Sequence, residues 1–407
     1  MGPLSLLCSL LCSLNAARAQ PPDLEVSGHL KSFTVASFSY EAFRDLQPSP
    51  AGQAAADARL NLAIRSGPFT FLAHHAVTTS VGGASSGLGG FSTGVGLAAP
   101  ELIDLTWSFA DEGATAAVQG RTDRLYLRAA LPAVDITLGR QPVSFGSGLF
   151  FSPIDLVNPF FPTTIDTEYK PGVDALRTDV YISTSRITLV AAYAGEEGEL
   201  KDLTDLNLAA SSQITVATTD FSLFYGSIHR DQVFGAGIIS SIGPVGVHTD
   251  ATYTLPDGDD EEPFARVVLG ADGRPAEKVG ISGEVYLQTL GVTDPDDYLQ
   301  QLSGERYARG ELWTAGRYYA AISLGYQVVP LISLSGAVIA NLSDPSAFIA
   351  PGISWSISGN ADAVAGAYFG VGERPVLDED GLLPVLDINS EFGLYPSTAF
   401  FQLRSYF

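Results

Sequence analysis

A chain of 407 residues with a formal net charge of −23, 16% charged side chains, 42 glycines and a mean hydropathy of +0.18 has an unusual composition for a water-soluble enzyme. The acidity argues against nucleic-acid binding, which needs a basic surface, and beyond the first nineteen residues no stretch of eighteen apolar residues exists to make a transmembrane helix. Both cysteines, Cys8 and Cys12, lie at the extreme N-terminus, so the remaining chain offers no disulfide, thiolate metal site or cysteine nucleophile.

Residues 1–19 read as a secretory signal peptide. Leu4 to Leu14 is an apolar run too short to span a bilayer, and Ala17-Arg18-Ala19 is an A-x-A cleavage site that leaves Gln20 as the new terminus. Leu11 ahead of Cys12 is too large for a lipoprotein signal. Apolar residues dispersed at period two in an exported chain leave a soluble β protein or a membrane β-barrel.

The strands favour the barrel. Leu60, Leu62 and Ile64 alternate with Arg59, Asn61 and Arg65, and Leu125, Leu127 and Ala129 with Arg124, Tyr126 and Arg128. Farther on, Val245 to Tyr253 alternate with His248, Asp250 and Thr252, Ile281 to Leu287 with Ser282, Glu284, Tyr286 and Gln288, and Ile332 to Ala340 with Ser333 and Ser335. Segments of about ten residues with one apolar and one polar face suit a bilayer-spanning strand, whereas sandwich strands are usually about five or six residues.

Connections alternate in length. Tight links are expected at Ser66-Gly67-Pro68, Asp111-Glu112-Gly113, Leu131-Pro132, Thr184-Ser185, Ile242-Gly243-Pro244, Val329-Pro330 and Ser358-Gly359-Asn360, with long ones at 41–54, 80–100, 142–172, 195–205, 256–263, 291–316 and 372–386. The acidic clusters around Asp257 to Glu262, Asp294 to Asp297 and Asp378 to Asp380 fall in the long set, on the outer side. The count is about eighteen strands, within 16–20, because 387–395 can be one long final strand or two. Residues 20–407 form one all-β transmembrane antiparallel barrel, with no plug domain ahead of the first strand. Tyr253, Tyr318, Tyr319, Tyr326, Tyr368, Trp107, Trp313 and Trp355 lie near strand ends, as interface girdles do.

The 142–172 segment stands apart. It carries Phe145, Phe150, Phe151, Phe160, Phe161 and Tyr169, too many aromatics for a disordered linker, and is far longer than an ordinary connection. It is expected to fold into the lumen and narrow it, turning at Gly146 and Gly148, which tolerate positive φ, and stiffened by Pro153. Arg140, Arg177, Arg124 and Arg128 are expected to face inward. Two roles stand side by side for them: a positive ladder opposite Asp155, Asp166 and Glu168 that sets up a transverse field at the constriction, beside Phe145, or ion pairs that only tie loop to wall. The five histidines give no metal site, since His74 and His75 point to opposite faces of a strand. His248 and Asp250 share a face without a serine beside them, which argues against catalysis. No cofactor is implied.

Gly139-Arg140-Gln141, Phe145-Gly146-Ser147-Gly148, Pro153-Ile154-Asp155 and Pro159 together resemble the strand-to-loop pattern of alginate-export-type channels and related porin-like barrels, with Phe145 where those have tryptophan. The C-terminal Phe407, with Leu403, Phe401 and Ala399 on its face, resembles the terminal strand that the barrel assembly machinery of Gram-negative outer membranes reads. The resemblances imply an outer-membrane location, a lipid bilayer around the barrel, and a non-enzymatic channel for small hydrophilic solutes, anionic ones included. The alternative is a barrel that serves as scaffold or exporter component for a periplasmic or surface partner. Whether the barrels form a homo-oligomer is left open.

Overall fold

The computed structural model describes residues 21–38, 49–82, 100–109, 116–159, 168–195, 198–258, 261–378 and 385–407. The expected signal peptide and Asp111 to Gly113 lie outside them, as do Phe160, Phe161 and Asp166.

Eighteen antiparallel strands close into one ring. In chain order they are β1 (Asp23–Phe38), β2 (Ala51–Ser66), β3 (Phe69–Gly82), β5 (Ala116–Ala130), β6 (Val134–Gln141), β7 (Val173–Ile182), β8 (Ser185–Tyr193), β9 (Leu206–Val216), β10 (Thr219–Ile228), β11 (Asp231–Ile242), β12 (Val245–Leu255), β13 (Phe264–Ala276), β14 (Val279–Gln288), β15 (Tyr318–Val329), β16 (Ile332–Asn341), β17 (Ser346–Ser358), β18 (Ala361–Val371) and β21 (Ser397–Tyr406). Each pairs with its neighbours in sequence, and β21 closes on β1 from His29 opposite Tyr406 to Phe38 opposite Ser397. Reciprocal backbone bonds between Gly28 and Phe407, 2.9 and 3.0 Å, extend that seam to the last residue. Closure leaves no unpaired strand edge, the condition for a sheet in hydrocarbon. No helix of the described residues is long and apolar enough to cross a membrane, which says nothing of strands.

Three short strands stand outside the ring. β4 (Thr106–Phe109) pairs with β5 above the end of β6, and β19 (Val376–Asp378) pairs with β20 (Val385–Asp387) inside an outer loop. The segment after β20 is therefore loop, with a 3₁₀ turn at Phe392–Leu394, and the ring count is even. The two ends of the barrel differ as expected. At one end every link is two or three residues, and both chain termini emerge there. At the other end lie links 39–50, 83–115, 142–172, 194–205, 256–263, 289–317 and 372–396, with short exceptions at His229-Arg230 and 342–345. Four tight turns, at Ser183-Thr184, Ala217-Thr218, His229-Arg230 and Glu277-Lys278, carry no Gly or Pro. Ser183, Ala217, His229 and Arg230 instead adopt positive φ of 56°, 55°, 49° and 75°.

The wall is apolar outside and polar inside. Leu30, Leu60, Leu127, Leu138, Leu189, Leu223, Leu269, Leu324 and Phe401 are exposed on the outer face, a continuous belt far larger than a water-soluble monomer tolerates. The inner face carries His29, Lys31, Arg59, Asp250, Arg266, Glu284 and Gln288, all buried. Not every aromatic belongs to a girdle. Tyr253, Tyr318, Tyr326, Trp107 and Trp355 are exposed outside, whereas Tyr319 is fully buried, Tyr368 stacks on Phe348 and Trp313 stacks on Phe151, all within the lumen.

Candidate functional site

The long loop crosses the lumen. It leaves β6 after Gln141 and reaches the far wall, where the Glu284 carboxylate of β14 accepts the backbone N–H groups of Leu149, Phe150 and Phe151, the last two at 3.0 Å. On β12, Asp250 accepts from the Ser147 backbone N–H at 2.5 Å and hydroxyl at 3.0 Å. Backbone that runs through a lumen needs acceptors for its donors, and these two carboxylates supply them. His248 joins the clamp through Nε2, 2.9 Å from Glu284 Oε1. Phe151 then stacks on Tyr286 with centroids 4.6 Å apart and on Trp313 at 5.2 Å. Gly146, at φ +87°, makes the expected left-handed turn beside Asp250. Gly148 serves differently from expectation: its φ is ordinary, but a Cβ there would lie 1.7 Å from the Phe151 carbonyl. Pro153 occupies the second position of a turn closed by Asp155 N–H on Ser152 O, 3.1 Å.

Crossing divides the lumen into unlike halves. Toward β7–β11, Val143, Ile154, Leu156 and Val157 of the loop pack against Val173, Ala175, Val190, Ala192, Ala209, Phe224 and Val233 of the wall. Toward β1, β2, β3 and β5, a narrow cavity of ≈ 80 Å³ is lined by His29, Lys31, Asp57, Arg59, Arg121, Asp123 and Tyr169. Toward β13–β18, a larger cavity of ≈ 500 Å³ opens between the loop and Arg266, Tyr286, Glu311, Trp313, Phe348 and Tyr368.

The four arginines expected to form a ladder are not brought together. Arg140 is a correction. In register it faces Leu125 on one side and Asp174 on the other, and it shares the outer parity of Leu138. Its Nε and Nη2 bind Asp174 bidentately at 2.9 Å each, Nη1 lies 2.9 Å from Glu101, and it is sealed in the wall seam under residues 101–103. Arg177 pairs with Asp179 two residues on, at 2.7 Å, and Arg128 with Asp135. Among the loop acids, Asp155 pairs with Lys170 at 2.6 Å, and Glu168 with Lys31 of β1 at 2.7 Å. Burial raises the Asp155 carboxyl above its ordinary range and lowers the Lys170 ammonium below its own, each against the pull of the other. Phe145 packs edge-on against Phe224, on the apolar side.

Arg124 is inside, as its alternation with Leu125 expects, and a feature that alternation does not reveal brings Asp123 in beside it. Between His74 and His75 the pairing of β3 with β5 skips Asp123, a β-bulge that turns both Asp123 and Arg124 to the lumen. Arg124 donates to the backbone carbonyls of Asp123 and Lys170, and no carboxylate pairs with it among the described residues. The cations lining the polar cavity are Lys31, Arg59 and Arg121 on β1, β2 and β5, with Arg124 next to Asp123 and against the Lys170 carbonyl. Arg59 lies 2.5 Å from Asp123 and stacks on the Tyr169 ring at 4.1 Å. Sequence reading recognised Arg59 as inward but missed Lys31, Arg121 and Tyr169. Period two around Lys31, with His29 on the same face, was the available signal for the first of these.

No protein-family model matches the chain, and no curated protein matches it. Solved structures do. Pseudomonas aeruginosa OpdK with vanillate aligns over 95% of this chain and 98% of its own at 11% identity and a TM-score of 0.59. OccK9 (OpdG) of the same organism covers 94% and 98% at 11% identity and 0.60, and Acinetobacter baumannii OccAB4 covers 97% and 100% at 9% identity and 0.54. The fold is that of a porin-like barrel. The alginate-export resemblance of residues 139–159 rests on that motif alone and finds no support in these comparisons.

Proposed function

We propose that the chain is an outer-membrane channel through which small hydrophilic solutes, anions among them, pass without chemistry. The observation that carries this is the polar cavity left open beside the infolded loop, with Lys31, Arg59 and Arg121 on its wall and Arg124 close by against the Lys170 carbonyl. A closed ring with an apolar belt outside and polar side chains inside is stable in a bilayer and excludes lipid from the lumen. Guanidinium groups on one wall and carboxylates between them make a path on which a solute exchanges water for protein donors at each step. OpdK, of the same fold, is described as an outer membrane protein and has been crystallised with vanillate, an aromatic carboxylate. That supports an anionic cargo, as does the motif resemblance.

Refolded protein in a planar bilayer tests this. Stable single-channel openings with a preference for anions are expected, and R124Q should shift the reversal potential toward cation preference. A folded barrel that never opens would transfer the argument to a scaffold or exporter component.

A further inference from the structure

We infer that the lumen holds a second ligand site, on the wall opposite the polar cavity, where the Nε–Nη2 edge of Arg266 takes the carboxylate of a small acid with an apolar body. The inference rests on the channel reading only for the ligand's way in.

Arg266 stands on β13, faces inward, is 2% exposed and lines the ≈ 500 Å³ cavity. Its Nη1 donates to the Glu311 carbonyl at 3.2 Å, and its Nη2 lies 3.7 Å from Glu311 Oε1, too far for a hydrogen bond. Nε and Nη2 have no hydrogen-bond partner. Five other guanidinium groups fill the same edge, Arg140 on Asp174, Arg177 on Asp179, Arg306 on Glu261, Arg309 on Glu311 and Arg404 on Asp362, whereas Arg121 leaves it without a hydrogen bond but has Glu101 at 3.3 Å. Glu311 is shared: its one carboxylate also holds Arg306 at 2.9 Å and Arg309, so a single negative charge is divided among three guanidinium groups. Directly across the β12–β13 ladder is Thr252, 4% exposed, whose hydroxyl also has no partner.

Buried donors without acceptors are costly, and the geometry defines what satisfies them. The Nε–Nη2 edge presents two parallel N–H groups that match the two oxygens of a carboxylate, and the Thr252 hydroxyl can donate to one of them. A water can accept from these N–H groups but carries no charge, whereas a carboxylate brings an oxygen for each and the countercharge. Around this polar corner the cavity is lined by Phe150, Tyr286, Leu312 and Trp313, which suits a flat apolar body. The nearby Asp155 does not repel the ligand, since Lys170 holds it.

The test is equilibrium binding of 4-fluorobenzoate to the full barrel refolded in detergent, followed by ¹⁹F NMR, with neutral 4-fluorobenzyl alcohol as control. Saturable binding of the acid alone is expected. R266K keeps the charge but loses the fork and should weaken binding at least tenfold, T252V severalfold, and R65K, at the short-turn end of the wall beside Glu25, should leave it unchanged. Heat-modifiable migration reports folding, and if R266K does not fold, T252V decides. Binding unaltered in the folded variants, or equal binding of acid and alcohol, overturns the site. A barrel that binds the acid through Arg266 yet never conducts keeps the site and refutes the channel. A conducting barrel whose acid binding ignores Arg266 and Thr252 does the reverse.

Discussion

The two sides of the infolded loop are built on opposite principles. Toward β7–β11, loop and wall exchange methyl groups: Ile154 and Leu156 sit among Val173, Val190, Ala192 and Ala209. Toward β1–β5, loop and wall exchange charges and rings: Glu168 meets Lys31, Tyr169 meets Arg59, and the Lys170 carbonyl meets Arg124. Apolar contact is short-ranged and fills space, whereas ion pairs tolerate water and leave gaps. One loop thereby closes half of a barrel and lines the other half.

The largest expected effect comes from detaching the loop altogether. E284A strips the acceptor from three consecutive backbone donors, each worth about 1–3 kcal/mol when left unsatisfied. Conductance should rise at least twofold, with both halves open. A second change separates the halves. I154A removes buried methyls on the apolar side at a cost of about 2–4 kcal/mol, and urea unfolding should register it while ion selectivity stays as in the parent. R124Q should do the opposite, lowering anion preference severalfold at little cost to stability.

The smallest effect is a pH dependence in the cover of the lumen. Glu391, in the 372–396 loop, is buried beside the Ala315 N–H, the Tyr319 hydroxyl and Asn341, with Asp344 near and no cation paired with it among the described residues. Burial pushes its carboxyl from 4.5 up to about 7. A raised carboxyl pKa means that the docked loop holds the proton more tightly than the released loop does. Docking is therefore strongest below about 4.5 and weakens as pH rises toward about 7. Limited proteolysis of this loop should accelerate across that window, and E391Q should flatten the profile.

Much of the architecture was legible because a barrel writes its two environments directly into period two. Leu60 against Arg59 and Val285 against Glu284 each told inside from outside. What stayed hidden depends on partners distant in sequence. The bulge at Asp123 is a property of the β3–β5 pairing, so alternation along β5 alone could not show that Asp123 and Arg124 both turn inward. Alternation was expected to place Arg140 inward, but it shares the parity of Leu138, and its acids, Glu101 and Asp174, come from a loop and a strand that seal it in the wall. Glu284 was visible as an inward residue. Its capture of the Leu149 to Phe151 backbone, more than 130 positions away, was not.

The claim that solutes pass on one side of the loop has a direct test, because the described residues contain no cysteine. Ala55 lines the polar cavity and Ala209 faces the apolar half, both buried. Single-channel current is followed while a negatively charged methanethiosulfonate reagent is added to A55C and to A209C. The account predicts rapid, lasting block of A55C and none of A209C. Block of A209C at an equal or faster rate would place the path on the wrong side of the loop and contradict it.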